Sequence, residues 1–304
     1  MALGPLFRTR RANTSLLEVE LIPLADPLVI DVGGDRLAAS CRTSNAGPGF
    51  HAAVIDLLDH LETDLKIQWI WKSSTGEPLD ETGYALHRNF RSLQMSMSEF
   101  LTALCRVYQN ASDDLSLSLC LPLELAGCRN GILTPKGPQS VEWLRNCPDS
   151  IGRNPDNAAK PFFVWWDRHI SAATWQSILE ALLWQRALWH PTSEPEHELI
   201  ASQIEYAAAK AVAPDSDLPA PVAQALMEWR NFQDGENWSE TPPSPEGMGY
   251  RRGLVTFYFD DWAIKLPGYL RATREQTAFE HSALWLGFSM FNVTSESGDT
   301  VDFR

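Results

Sequence analysis

Apolar residues along the chain switch between two periods, and the switches predict its elements. Over 16–22, Leu17, Val19 and Leu21 alternate with Glu18 and Glu20, the two-residue period of a strand with one buried face. A second apolar run over 28–32 stops at Gly33-Gly34-Asp35, a hairpin turn into a further strand over 36–42. The period then changes. Ala53, Val54, Leu57, Leu58 and Leu61 recur at the three- and four-residue spacing of one helix face. Gly47-Pro48-Gly49 cannot continue a strand, so the loop that ends in Phe50-His51 delivers the chain onto a helix N-terminus. Ile67, Trp69 and Trp71 alternate again over 66–72 and predict a return to strand, so that strand, helix and strand build a mixed sheet with helices on one face.

Further on, Phe100, Leu101, Leu104 and Val107 share a helix face, with Ser98 as its expected N-cap. Strict alternation of leucine over 115–121 predicts a strand. The stretch 146–161, with Pro148, Pro155 and Pro161 among turn formers, reads as a linker or long surface loop. Beyond it Ser171 caps a helix with apolar residues on two sides (Trp175, Ile178, Leu179 and Leu182, then Leu183, Trp184 and Leu188). Ser193-Glu194-Pro195-Glu196 matches a capping box before a second helix, and Val222, Leu226 and Trp229 mark a third. Val255 to Phe259 and Trp262 to Leu266 read as a hairpin turning at Asp260-Asp261. The expected fold is α+β: a mixed sheet with flanking helices over 15–148, a helical segment over 162–232, and a C-terminal hairpin within a second region, 162–304. The two regions pack as one domain or stand as two.

Composition narrows the function classes. Hydrophobic residues at 44% and charged ones at 21% describe a globular chain of 304 residues. Against 39 acidic residues stand 25 basic ones, a net charge of −14, and such a surface repels a phosphate backbone, so nucleic acid is not an expected partner. A basic protein is its natural complement. The five cysteines lack close pairing and read as reduced thiols, without a disulfide framework or zinc site. No apolar run is long enough to span a membrane. Arg8, Arg10 and Arg11 read as a frayed basic tail, and the chain as cytoplasmic.

Candidate chemistry is sparse. Gly47, Gly49 and His51 before a helix form a possible anion nest with His51 as acid or base, or a tight turn whose glycines serve geometry alone. The loop is neither a P-loop nor a dinucleotide fingerprint. His51, Asp56 and His60 do not make a metal site, because on a regular helix the two histidines point to opposite sides. His190 and His197 among Glu194, Glu196 and Glu198 read as a solvated helix start. Asp260-Asp261, with Glu280 and His281 downstream, offers paired carboxylates or plain turn chemistry. No nucleophile elbow or zinc-protease motif occurs, so neither catalytic residue, metal nor cofactor is expected. The twelve tryptophans are the unusual feature. Trp165, Trp166, Trp189, Trp238 and Trp262 lie beside Asp, Pro or loop residues, where partly exposed rings amid acids such as Asp260 and Asp261 make a binding surface.

An acidic, tryptophan-rich chain with reduced cysteines, a Gly47-Pro48-Gly49-Phe50-His51 turn and no catalytic signature resembles the immunity proteins that neutralise bacterial polymorphic or type VI secreted toxins. The likeness lies in this general character and in the stretch 45–61, and it carries over no functional residue. It implies stoichiometric binding of a cognate basic toxin in the cytosol, with charge speeding association and aromatic anchors slowing dissociation. The alternative is a small-molecule enzyme using the loop at Gly47 to His51.

Overall fold

The computed structural model describes residues 4–33, 36–109, 117–118, 131–189, 195–212, 217–233, 248–249, 252, 254–259 and 262–267, and short strand pieces from 271 to 301. The fold is α+β. Four antiparallel strands, β1 (Arg8–Arg11), β2 (Leu16–Glu20), β3 (Leu28–Gly33) and β4 (Arg36–Ser40), pair in sequence order. Pairing of Leu17 with Ile30 and of Asp31 with Ala38 fixes the register. Val19, Leu28 and Ile30 are thereby buried on the core face, with Leu17, Leu37 and Ala39 packed beside them. The opposite face is polar, as expected of an antiparallel sheet solvated on one side. There Arg8 meets Glu20 at 3.8 Å and Arg10 meets Glu18 at 3.6 Å. The expected basic tail is therefore an edge strand: cross-strand carboxylates give its arginines a reason to order, and their charge guards the edge.

Helix α1 (Pro48–Leu65) starts with proline at its first turn, where φ is already helical and no donor is missed, and it ends at Lys66 in the left-handed region. The stretch 66–72 is not a sheet strand. The Trp69 N–H donates to the Glu62 carboxylate at 3.1 Å and its indole N–H to the Leu58 carbonyl at 2.8 Å, so it is pinned along α1 instead. Among the described residues its ladder contacts are the bridge of Lys72 with Pro78 and the Leu79 N–H on the Trp71 carbonyl, 2.9 Å, which fold 71–79 back on itself. The main sheet is consequently antiparallel throughout. Mixed pairing occurs in a small second sheet, where β5 (Leu117–Ser118) runs parallel to β6 (Gly131–Thr134) and β6 antiparallel to β7 (Gly137–Ser140).

After α2 (Tyr84–His87), α3 (Phe90–Gln109) begins earlier than expected, and Ser98 lies inside it, its hydroxyl bonded to the Gln94 carbonyl. The supposed linker is helical. It holds α4 (Val141–Arg153), capped by Ser140, and α5 (Pro155–Ala159), where proline takes the permitted first position. Then come α6 (Ala172–Gln185) with a Ser171/Thr174 capping box, α7 (Pro195–Ala211) and α8 (Ala220–Gln233). One continuous cluster of buried side chains runs from Leu6 through α1, α3, α4 and residues 162–166 to Trp229 in α8. The hairpin of β8 (Leu254–Phe259) and β9 (Trp262–Pro267) sets Phe259 opposite Trp262, as the sequence predicts, and among the described residues it pairs with no other sheet. No described helix is long and apolar enough to cross a membrane.

Candidate functional site: a trough beside the open edge of the sheet

The glycine loop is built for packing. The Gly49 N–H donates to the Trp165 carbonyl at 3.0 Å, and the Trp165 N–H returns a bond to the Ala46 carbonyl at 2.9 Å, so the 162–166 chain lies directly on the start of α1. Any side chain would separate them. A Cβ on Gly47, whose φ is +113°, would stand 2.7 Å from the Trp165 carbonyl oxygen, and one on Gly49 would collide with the Asp167 carbonyl and the Trp165 ring. Residues 46–55 are all buried. The loop at Gly47 and Gly49 is thus packed against protein, with the Gly49 donor taken by the Trp165 carbonyl, which favours the tight turn whose glycines serve geometry over the anion nest.

His51 sits one turn into α1, 8% exposed, with both ring nitrogens engaged. Nδ1 is 2.8 Å from the Thr43 hydroxyl and Nε2 is 3.3 Å from an Asp80 carboxylate oxygen. A carboxylate only accepts, so Nε2–H is the donor toward Asp80, while the 2.8 Å bond between Nδ1 and the Thr43 hydroxyl can run in either direction. The other Asp80 oxygen accepts the Ala85 N–H at 2.7 Å, and the Thr82 hydroxyl donates to Asp80 at 2.8 Å. Burial alone would raise the Asp80 carboxyl, yet the bonds from His51, Ala85 and Thr82, with the His51 charge, outweigh it and hold the group well below the ordinary carboxylate range. Hydroxyl, imidazole and carboxylate stand in the order of an activated nucleophile. With Thr43 only 9% exposed, however, the relay lies beneath the surface, and what it does is fasten the 43–47 loop and the 79–82 turn to α1.

Beside this cluster opens a trough of about 1580 Å³. One wall is β4, the last strand of the sheet. Val54, Ile55 and Leu58 of α1 with Met97 and Phe100 of α3 make its floor, and residues 67–71 with Leu79 make the far wall. Trp69 and Trp71 are half-buried there, while Ile70 is 75% and Leu79 59% exposed, so four large apolar side chains gather at the rim.

The residues expected to form a partner surface are placed differently. Trp165, Trp166 and Trp189 are buried in the core. Trp165 packs edge-on against Phe50, Trp166 stacks on Phe163 and bonds the Asp156 carboxylate through its indole, and Trp189 is covered by the Arg252 guanidinium at 5.2 Å from the ring centroid. Polar neighbours in sequence misled the expectation, because Asp167 and Arg168 turn outward while the rings turn in. Trp238, Asp260 and Asp261 lie outside the described residues, as does the side chain of Trp262. His51 keeps a place at the margin of the trough, without Gly47 and Gly49 as ligands. Asp80 and Thr82 carried no sequence signal, since Asp-Glu-Thr-Gly reads as an ordinary turn. Trp69 and Trp71 were legible only as strand residues. Among the described residues no three metal-ligating side chains converge. No protein-family model matches the chain, and neither does any curated protein or solved structure.

Proposed function

We propose that this chain is a non-enzymatic binding protein that holds a basic protein partner stoichiometrically in the cytosol, in the manner of the toxin-neutralising immunity proteins it resembles. The apolar rim of Trp69, Ile70, Trp71 and Leu79 over an open trough carries this reading, because exposed aromatic and aliphatic groups around a hollow are what an interface anchor needs. The net charge of −14 supports it by drawing a basic partner from a distance. The trough exceeds the roughly 300–1000 Å³ of small-molecule sites, and it is partly open to solvent. Acid-base chemistry at His51 has less in its favour, both nitrogens being held by Thr43 and Asp80.

The experiment is co-purification of the tagged chain with the products of the genes flanking its own, at low and high salt. One neighbour is expected to be retained in equimolar amount, with association slowed by salt, and Trp71→Ala should weaken it by about thirtyfold, the scale of an anchor residue. Failure of every neighbour to bind overturns the reading.

A further inference from the structure

The trough is lined along the whole of β4, and the register says which of the strand's main-chain groups point away from the sheet. The Val32 N–H donates to the Ser15 carbonyl at 2.7 Å, so Val32 faces β2 and, by alternation, Val29, Asp31 and Gly33 face β4. Their partners Ser40, Ala38 and Arg36 therefore spend their N–H and C=O groups on β3. Leu37 and Ala39, and Cys41 just beyond the strand, direct theirs away from the sheet. Among the described residues these groups have no main-chain partner.

We infer that the partner docks by adding an extended segment along β4 as a fifth strand; this rests on the binding-protein reading above. Such a segment would bond Leu37, Ala39 and Cys41 through its main chain and lay alternate apolar side chains over the floor of Ile55, Leu58 and Phe100. Its remaining side chains would follow the solvent face of β4. That face carries Arg36, Ala38 and Ser40, and the exposed Arg42 follows two residues past the strand end. Arg36 and Arg42 are exposed and have no carboxylate partner among the described residues, so two guanidinium groups bracket two small residues. The segment that fits is apolar at every second position and acidic at the two ends facing those arginines. The acidity of the whole surface steers a basic partner, whereas the arginine pair fixes the register of the strand once it arrives.

The probe is a displayed library of random peptides of about twelve residues, long enough to outrun β4 at about 3.4 Å per residue. It is panned on the full chain against an unrelated acidic protein as control. Enriched peptides are expected to alternate apolar residues and to carry flanking acids, and Arg36→Glu with Arg42→Glu should change those acids to bases. In a synthetic copy, N-methylation of the amides of one parity should weaken binding about tenfold or more, and methylation of the other parity should be tolerated, because only one set faces the strand. Ala39→Pro removes an outward N–H and no bond to β3, so it should abolish binding while leaving the urea midpoint of the chain near the parent's. If that variant fails to fold, the methylated peptides decide, since they leave the protein untouched. No enrichment over the control, equal sensitivity to both methylation sets, or full binding by a folded Ala39→Pro chain overturns the inference. A neighbouring gene product that binds without protecting the Leu37 and Ala39 amides from exchange overturns it too, and leaves the function reading standing. Peptides held on β4 with no gene product captured do the reverse.

Discussion

Replacing His51 by alanine tests the polar cluster that anchors one end of the trough. In the parent, the His51 and Asp80 side chains are 10% and 6% exposed and face each other at 3.3 Å. Without the imidazole, Asp80 keeps the Ala85 N–H and the Thr82 hydroxyl but stays a buried anion short of its largest stabilising partner. Leaving one member of a buried pair uncompensated costs about 3–5 kcal/mol, a large share of the roughly 5–15 kcal/mol that holds a domain folded. The pH dependence has a definite sign. Asp80 is depressed in the folded chain relative to an unfolded value of about 3.9, so its contribution is complete above that pH and is lost as the pH falls below it toward the folded value. His51→Ala abolishes most of that depression, and the deficit relative to the parent should shrink between neutrality and about pH 3. Urea unfolding followed by tryptophan fluorescence at both pH values reads it, and His51→Ala with Asp80→Asn should recover part of the loss at neutral pH. A deficit below about 1 kcal/mol at neutrality, or one that widens toward acid, would refute a buried, charged Asp80 held by His51.

Two further outcomes follow from the same packing. Gly49→Ala drives a methyl into the Asp167 carbonyl and the buried Trp165 ring, and should cost about 2–3 kcal/mol or more in urea unfolding; a variant as stable as the parent would refute the packing role of the glycine. The Cys41 thiol is pushed up to about 12, by burial first and by Asp26 second, so iodoacetamide at about pH 8 should leave the Cys41 peptide unmodified in the native chain and modify it in urea, as peptide mass spectrometry can show. Labelling of the folded chain at the rate of a free thiol would contradict that environment.

Where a local pattern decided the outcome, the sequence was enough. Leu17, Val19 and Leu28 through Ile30 alternate because one face of β2 and β3 is buried, and Ser171 announces α6 through a capping box that needs only its own first turn. The hairpin at 254–266 is likewise local, each strand pairing with its neighbour. Elements settled by distant partners were misjudged. Prolines at 148 and 155 looked like breakers, but one is accommodated within α4 and the other starts α5, and the burial of Leu144, Cys147 and Ile151 in the common core repays the helix. Residues 66–72 have strand periodicity but join no strand among the described residues. Asp80 completes the His51 cluster from a turn whose composition says only that it turns.

The tryptophans show most directly why spacing could not tell packing from surface. Trp165 is interior because the main chain around it is bonded into the core, its N–H on Ala46 and its carbonyl under Gly49, so the ring has nowhere to go but inward. Trp69 has the same alternating neighbourhood in sequence, yet its N–H and indole are fastened to Glu62 and Leu58 on the flank of one helix, and the other side of the ring is left open. What a tryptophan backbone is bonded to thus settles whether its ring is packing or surface. The glycine loop connects the two cases. By letting Trp165 seat on its first turn, it buries the N-terminus of α1 against the core. What α1 still offers is its flank at Ile55 and Leu58, beside a strand whose outward amides no described residue claims. The edge that packing left over is where the proposed partner would dock, and the loop that drew attention in the sequence is taken up by packing.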